Sequence, residues 1–172
     1  MRYNAQNVKE ETVTKVLSKS AREVQRALEQ KGLYCKVVEL ASTTRTASDA
    51  AASIGCEVGQ IVKSLLFRLR KTVQPVLVLV SGKNRVNEKA IEKLLGEKIE
   101  KADADFTREI TGFAIGGIPP IGHKQQIGHV FIDEELLYYE TVWAAAGTPF
   151  AVFSMPSLVL PEASGGKVIK LT

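Results

Sequence analysis

The sequence predicts an α+β fold in which helices surround a curved, mostly antiparallel, barrel-like mixed sheet. Several short segments either alternate apolar and polar residues or are continuously apolar, as strands are. Helical segments are scattered unevenly among these strands, whereas a doubly wound sheet would alternate strand and helix regularly. A sheet of about seven strands tends to curl, which favours the barrel-like shape.

Composition indicates an ordinary globular protein, and we expect one domain over residues 1–172, with residues 1–12 as an N-terminal extension. Apolar residues make up 45% of the chain, and the net charge of +4 permits a polyanionic partner without requiring one. No apolar run reaches the roughly 18 residues that a membrane span needs, and the N-terminus has no signal-like apolar segment. The two cysteines lack CxxC spacing, so we expect reduced thiols and a cytoplasmic protein.

The first third of the chain predicts a helix, a strand and a second helix. Apolar residues recur at helical spacing over residues 13–28 and indicate the first helix. Alternation over residues 33–40 predicts a strand with Tyr34 on its polar face. A capping box that begins at Thr46 opens a short alanine-rich helix, which Gly55 ends.

The middle of the chain predicts an antiparallel hairpin, with strands at residues 61–69 and 75–80. Lys63 lies in the middle of an otherwise apolar face of the first strand. The elements expected after the hairpin are a helix capped by Asn87, a short strand at residues 98–102 and a helix from Asp103 to Thr111. The last third predicts strands at residues 129–133, 139–144, 150–154 and 167–171, with short helical turns at 134–137 and 156–160.

The segment at residues 112–123 is rich in glycine, proline and apolar residues and carries hardly any charge. Surface loops are usually polar, whereas here glycines supply conformational freedom and Pro119 and Pro120 supply rigidity. Such a segment is suited to presenting main-chain N–H and C=O groups to a ligand. The alternative is a tightly packed corner between two strands.

Lys63 is the sharpest candidate for a functional side chain. Burying an ammonium among Ile61, Leu65 and Phe67 is costly unless the ammonium meets an anion or a strong acceptor. The alternative is a lysine whose ammonium reaches solvent along its aliphatic stem.

The remaining polar candidates carry weaker signals. His123 ends the Gly/Pro segment and is a candidate for a group near a site, whereas His129 begins a strand and is expected to be structural. Tyr34 on a polar strand face is typical of a half-buried packing residue. A set of basic residues is expected either to form a nucleic-acid-binding rim or to be an ordinary solvated face: Arg68, Arg70, Lys71, Lys83, Arg85, Lys89 and Lys93.

Familiar catalytic motifs are missing from the sequence. It has no GxSxG, HExxH, P-loop or GxGxxG motif and no clustered Cys/His spacing. We therefore predict neither a metal site nor a cofactor.

Taken in order, several of these segments resemble the YbaK/ProX family of aminoacyl-tRNA deacylases, which are relatives of the editing domain inserted in bacterial prolyl-tRNA synthetases. The resemblance runs from about residue 13 to the C-terminus, and its most specific parts are the lysine in a hydrophobic strand and the GxxxP loop. The segments that carry it are Tyr34, residues 62–67, residues 76–80, residues 112–122, Ile132-Asp133 and residues 146–149.

The resemblance implies hydrolysis of the ester that joins a mischarged amino acid to the 3′ end of a tRNA, with a small amino acid such as Ala or Cys on tRNA(Pro) as the expected substrate. Lys63 would hold the substrate, and the main chain of the GxxxP loop would line the aminoacyl pocket. Ser64 takes the position after the lysine that helps to set amino-acid selectivity. The resemblance assigns catalytic roles to Lys63, Gly116 and Gly117 and substrate binding to Tyr34, Ser64, Ile118, Pro119, Pro120, His123, Asp133 and Gly147.

The implied partners are the acceptor end of an aminoacyl-tRNA and a prolyl-tRNA synthetase. One alternative is a non-catalytic module on the same fold that binds tRNA or a synthetase. Another is a hydrolase of small molecules whose substrate contains no RNA. The effect of substituting Lys63 separates the first alternative from the deacylase, and the salt dependence of the reaction separates the second.

Overall fold

Nine strands form one mixed sheet within residues 13–14 and 16–171, which are the residues that this computed structural model describes. Their order in the sheet is β1-β2-β8-β7-β3-β4-β6-β9, and β5 pairs with β3 beside this path. Five of the eight strand pairings are antiparallel, so the predicted α+β class with a mostly antiparallel mixed sheet is confirmed. The strands are β1 Val13–Thr14, β2 Val38–Leu40, β3 Ile61–Leu69, β4 Pro75–Ser81, β5 Ile99–Lys101, β6 His129–Asp133, β7 Thr141–Ala145, β8 Ala151–Pro156 and β9 Lys167–Ile169.

Helices lie between these strands and begin where the sequence supplies capping residues. The predicted caps at Thr46, Asn87 and Asp103 are confirmed, since each side chain accepts a hydrogen bond from an N–H of the first helical turn. Glycines in the left-handed conformation end these three capped helices, as expected for residues without a Cβ. The helices are α1 Lys19–Gln30, α2 Ala47–Ile54, α3 Glu88–Leu95, α4 Ala104–Thr111 and α5 Leu160–Ser164, with 3₁₀ turns at Val58–Gln60, Glu134–Tyr138 and Ser157–Val159.

Two predictions near the N-terminus were wrong in extent. The first helix begins at Lys19, because Ser18 caps it, and the preceding Val13–Thr14 pairs as a strand with β2. The strand predicted over residues 33–40 alternates in burial as expected, but only Val38–Leu40 pairs with other strands. The extension predicted for residues 1–12 lies outside the described residues. Other strand boundaries moved by one or two residues, as at β7 and β8.

The sheet separates its buried apolar residues into distinct clusters. Val62 and Leu66 of β3 pack in a cluster that includes Ile118 from the Gly/Pro segment. Phe67 of the same strand packs on the other side in a cluster that includes Ile91 of α3. Alternate residues of β3 therefore face two different cores, which agrees with the two-residue period of a strand. No helix in the described part of the chain is long and apolar enough to cross a membrane.

Candidate functional site

A cavity of about 570 Å³ lies beside the middle of β3. On one side β3 pairs with β4 over Val62–Arg68, but on the other side it has two partners that leave a gap. The parallel strand β7 faces only Ile61 and Val62, and β5 faces only residues 67–69. Residues 63–66 have no neighbouring strand there, and we call this stretch the open edge of β3. Every residue from Ile61 to Phe67 lines the cavity, so the cavity occupies this gap.

The cavity wall is mostly apolar and its charged residues are all cationic. Among the lining residues, Arg45, Lys63 and Lys101 carry positive charge and none is an aspartate or glutamate. A ligand with an anionic part and a small apolar part fits such a wall. The other lining residues are Thr44, Thr46, Ala47, Ala50, Ile54, Ile61, Val62, Ser64, Leu65, Leu66, Phe67, Ala102, Thr107, Ile115, Gly116, Ile118, Trp143, Ala144, Ala145 and Val152.

Lys63 is half-buried, and its ammonium is held by main chain rather than by a carboxylate. The Nζ donates to the carbonyl oxygen of Asn84 at 2.5 Å. The Asn84 side chain in turn donates to Asp133 at 2.9 Å, and the Ser81 N–H donates to the same carboxylate oxygen at 3.1 Å. Asp133 is fully buried, so it fixes the turn that carries the Lys63 acceptor and does not line the cavity itself.

The environment of Lys63 disfavours its charged form. Burial lowers the pKa of the Lys63 ammonium, the positive charge of Arg85 lowers this pKa further, and the negative charge of Asp133 opposes both effects. An anion that enters the cavity beside the ammonium would therefore relieve an unfavourable charge, which makes Lys63 an anion-binding candidate rather than a structural ion-pair partner.

The Gly/Pro segment supplies the wall opposite β3. Gly116 and Ile118 line the cavity, whereas Gly117 packs behind it. A Cβ on Gly117 would lie 2.6 Å from the carbonyl oxygen of Gly147, and the Gly147 N–H donates to the Gly117 carbonyl at 2.8 Å. The Gly117 N–H is already used, since it donates to Ala114 at 3.0 Å. Of the two glycines assigned catalytic roles, Gly116 lines the cavity and Gly117 supports the wall.

His123 stabilises the Gly/Pro segment by a hydrogen bond to its main chain. Its Nε2 lies 2.7 Å from the carbonyl oxygen of Pro119 and donates to it, because a carbonyl only accepts. Burial lowers the pKa of His123, the bond to Pro119 opposes this, and the charge of Lys31 lowers the pKa further. The net effect favours the neutral imidazole. Like the buried Pro119 and Pro120, it does not line the cavity.

The structure brings together some of the predicted site residues and separates others. Lys63, Ser64, Gly116 and Ile118 line one cavity. The residues that do not line this cavity are Gly117, Pro119, Pro120, His123, Asp133 and Gly147. Tyr34 lies outside the cavity lining, with 74% of its surface exposed.

Sequence reasoning missed several residues at or beside the cavity, among them four with polar or charged side chains that bear on its chemistry. Arg45, Lys101 and Thr107 line it from separate segments, and Asn84 holds the Lys63 ammonium. The Thr107 and Ser64 hydroxyls are buried and have no hydrogen-bond partner in the described structure. A signal existed only for Asn84, because the predicted hairpin places the turn after its second strand close to Lys63.

Residues 41–162 match the family model described as the aminoacyl-tRNA editing domain. The chain belongs to this family.

Individual relatives agree with this membership. The chain is 30% identical over 132 residues to "Uncharacterized protein YwhH" of Bacillus subtilis, covering 77% of this chain and 83% of that protein. It is 34% identical to a proline--tRNA ligase of Maridesulfovibrio salexigens, over 64% of this chain but only 19% of the ligase. It is 32% identical to "Putative Cys-tRNA(Pro)/Cys-tRNA(Cys) deacylase EbsC" of Enterococcus faecalis, over 59% of this chain and 62% of EbsC.

A solved structure gives the same relationship over more of the chain. The crystal structure of "a putative trans-editing enzyme for prolyl tRNA synthetase" is 48% identical and superposes with a TM-score of 0.86. The match covers 91% of this chain and 99% of that one. The predicted relationship to the YbaK/ProX deacylases and to prolyl-tRNA synthetase editing domains is therefore confirmed.

Proposed function

We propose that this protein is a trans-editing deacylase that hydrolyses the ester of a mischarged tRNA, with a small amino acid such as Ala or Cys on tRNA(Pro). The observation that carries the proposal is the single cavity shared by Lys63, Gly116 and Ile118, whose lining residues include cations and no carboxylate. The names of two relatives support the substrate class, namely "Putative Cys-tRNA(Pro)/Cys-tRNA(Cys) deacylase EbsC" and "a putative trans-editing enzyme for prolyl tRNA synthetase". In this proposal residues 1–172 form one editing domain that acts in the cytoplasm, where translation takes place.

The reaction needs no strong nucleophile, because an aminoacyl ester is already activated. The oxygen of a water molecule attacks the ester carbonyl carbon, and the bond from that carbon to the ribose oxygen breaks. One proton from the water goes to the ribose oxygen and the other is lost to solvent as the amino acid leaves with its carboxylate. The protein contributes by positioning the ester and by stabilising the oxyanion that develops on the carbonyl oxygen.

Individual residues take distinct roles in this proposal. Lys63 binds either the terminal phosphate or the carbonyl oxygen of the ester, because the phosphate anion or the oxyanion that develops on that oxygen would offset the unfavourable charge of the ammonium. Gly116 presents main chain to the aminoacyl group, and its φ of +90° is one that side chains rarely tolerate. Ile118 narrows the wall that faces the amino-acid side chain, which favours small substrates. The acceptor end of the tRNA enters past Arg45 and Lys101, and a prolyl-tRNA synthetase is the proposed protein partner.

A panel of charged tRNAs tests the proposal. Purified tRNA(Pro) charged with Ala, Cys, Ser or Pro is incubated with the protein, and amino-acid release is compared with Lys63→Met and with Lys170→Met. Lys170 is exposed and follows β9, the strand at one end of the sheet order and separated from β3 by β4 and β6, so it is a matched control. We expect release of Ala or Cys, a loss of about 10²-fold or more in Lys63→Met, and no loss in Lys170→Met.

Three outcomes would contradict the proposal. If no charged tRNA is hydrolysed but the tRNA still binds, the protein is a non-catalytic binding module on this fold. If hydrolysis persists unchanged in Lys63→Met, the assigned mechanism is wrong. A rate that does not fall as salt rises would indicate a small-molecule ester as the substrate, because binding to tRNA phosphates is weakened by salt.

A further inference from the structure

The middle of β3 carries main-chain groups that the sheet does not use. The Gly82 N–H donates to Ile61 at 2.7 Å and the Leu69 N–H donates to Gln74 at 2.9 Å. With the antiparallel register, these bonds show that odd-numbered residues of β3 hydrogen-bond to β4. The N–H and C=O groups of the even-numbered residues therefore point toward the open edge.

Along that edge, Ser64 is the residue left without a neighbour. Val62 lies in the ladder with β7 and Arg68 in the ladder with β5, while the Leu66 carbonyl accepts from the Ala102 N–H at 3.1 Å. Neither ladder includes Ser64, and within the described residues neither its N–H nor its C=O has a hydrogen-bond partner. Ser64 is half-buried and lines the cavity, so its unpaired N–H and C=O are available to a ligand that enters there.

One kind of ligand matches a free N–H and C=O on the same residue. Two residues that face each other in a hydrogen-bonded antiparallel pair exchange two bonds, one in each direction. An α-aminoacyl group carries the same two groups as a residue of a strand. Its α-nitrogen supplies an N–H donor, and the carbonyl carbon bonded to its Cα supplies a C=O acceptor. It can therefore pair with Ser64 as a peptide strand pairs with a sheet edge.

We propose that the aminoacyl group of the substrate binds to the open edge of β3 as one added residue of the sheet. The Ser64 N–H donates to the ester carbonyl oxygen, and the α-nitrogen of the substrate donates to the Ser64 carbonyl. This inference rests on the proposed function and deepens it, because it assigns recognition of the α-aminoacyl group itself to a main-chain site.

The pairing also sets the direction of the substrate side chain. Residues directly opposite each other in a sheet project their side chains from the same face. The side chain of an L-amino acid would then lie on the Ser64 face, where Leu66 and Ile118 belong to one core cluster. Lys63 projects from the opposite face and remains available for the phosphate or the ester oxygen.

The same donor is placed to act during the reaction. Negative charge develops on the ester carbonyl oxygen when water attacks, and an N–H already bonded to that oxygen then binds it more strongly. Removing one donor of this kind typically slows a reaction by about 10²–10³-fold. Because the Gly117 N–H is used within its own turn, a donor from β3 complements Gly116 on the opposite wall.

Amide hydrogen exchange measured by NMR tests the proposal directly. The full chain is saturated with 3′-deoxy-3′-(L-alanylamino)adenosine, an amide that resists hydrolysis. We expect exchange of the Ser64 N–H to slow at least tenfold more than that of Lys63 and Leu65, which already bond to β4. The control ligand carries a propionyl group in place of alanyl, lacks the α-nitrogen, and should bind at least tenfold more weakly. Protection at Gly116 and Ile118 with no change at Ser64 would overturn the proposal, as would equal binding of the two ligands.

Two substitutions at one position separate main chain from side chain. Ser64→Pro removes the N–H without removing a bond to β4, whereas Ser64→Ala removes only the hydroxyl. We expect deacylation to fall by about 10²–10³-fold in Ser64→Pro and by less than about tenfold in Ser64→Ala. Equal activity of Ser64→Pro and Ser64→Ala would count against the pairing. If Ser64→Pro does not fold, the exchange measurement on the unsubstituted protein decides.

The outcomes distinguish this inference from the proposed function. If the protein hydrolyses mischarged tRNA but the Ser64 amide is not protected by the ligand, the pairing at Ser64 is wrong and the proposed function stands. If the protein hydrolyses no aminoacyl-tRNA but the alanyl ligand protects the Ser64 amide, the proposed function is wrong. The binding of an aminoacyl group to the open edge of β3 would then still hold.

Discussion

The two edges of β3 belong to the same nine residues, yet one is fully paired and the other is interrupted. On the β4 side the ladder is continuous from Val62 to Arg68, and the turn that connects the two strands is short. On the other side the strand meets β7 at its start and β5 at its end, with a gap between them. The paired edge continues the sheet into β4, and the interrupted edge opens onto the cavity.

This difference shows how the fold creates a site without an elaborate catalytic motif. A strand edge brings main-chain donors and acceptors to the surface of a cavity, and its two faces send alternate side chains to opposite walls. Lys63 and Ser64 are neighbours in sequence and therefore serve different sides of the same opening. The opposing Gly/Pro segment needs only to close the far wall, which explains why it is short of polar side chains.

The largest expected effect is the contrast between proline substitutions on the two kinds of position in β3. Leu65→Pro removes an N–H that bonds to β4 and leaves a buried acceptor unsatisfied, so it should destabilise the protein by about 2–4 kcal/mol. Ser64→Pro removes an N–H that faces the cavity and should cost clearly less. The free energies of unfolding from denaturant titrations compare the two variants. Equal losses would mean that the edges of β3 do not differ as described.

A smaller effect is expected from adding a methyl group where the Gly/Pro segment packs against the loop after β7. The added methyl in Gly117→Ala would lie 2.6 Å from the Gly147 carbonyl and must push the two segments apart. We expect a loss of about 1–3 kcal/mol in the free energy of unfolding, together with reduced deacylation.

Gly128→Ala is the matched control for Gly117→Ala, since a Cβ on Gly128 has no neighbouring atom within 4 Å. It should leave both unfolding and deacylation nearly unchanged. An unaffected Gly117→Ala variant would show that the wall behind the cavity tolerates displacement.

The smallest effect concerns the pH dependence of deacylation. The pKa of Lys63 is lowered, so its positive charge is present below that pKa and is lost as pH rises through it. Deacylation, corrected for uncatalysed ester hydrolysis, should therefore decline at a pH below the value of about 10.4 that is typical of lysine.

Arg85→Ala sharpens this test because it removes a charge that lowers the pKa of Lys63. The decline should move to higher pH in Arg85→Ala and stay in place in Arg26→Ala, which alters an exposed arginine of α1. A shift of the decline to lower pH in Arg85→Ala, or identical shifts in both variants, would show that the pH dependence does not arise from the titration of Lys63.

The sequence by itself determined the local elements and the two most specific site components. Caps at Thr46, Asn87 and Asp103 act within the first turn of each helix, so neighbouring residues suffice to predict them. The lysine on an apolar strand and the GxxxP loop were likewise readable, because composition and spacing are properties of short segments. The first helix was misplaced because apolar spacing alone does not reveal a competing strand pairing at Val13–Thr14.

Only the tertiary structure decided which of these parts meet. The parallel contact of Ile61 with Trp143 joins segments some eighty residues apart, and no local pattern specifies such a partner or where its pairing stops. That stopping point leaves the gap that the cavity occupies, and Arg45 and Lys101 from distant segments line the same cavity. The physical reason is that hydrophobic alternation fixes which face of a strand is buried, whereas the partners along each edge follow from the packing of the whole chain.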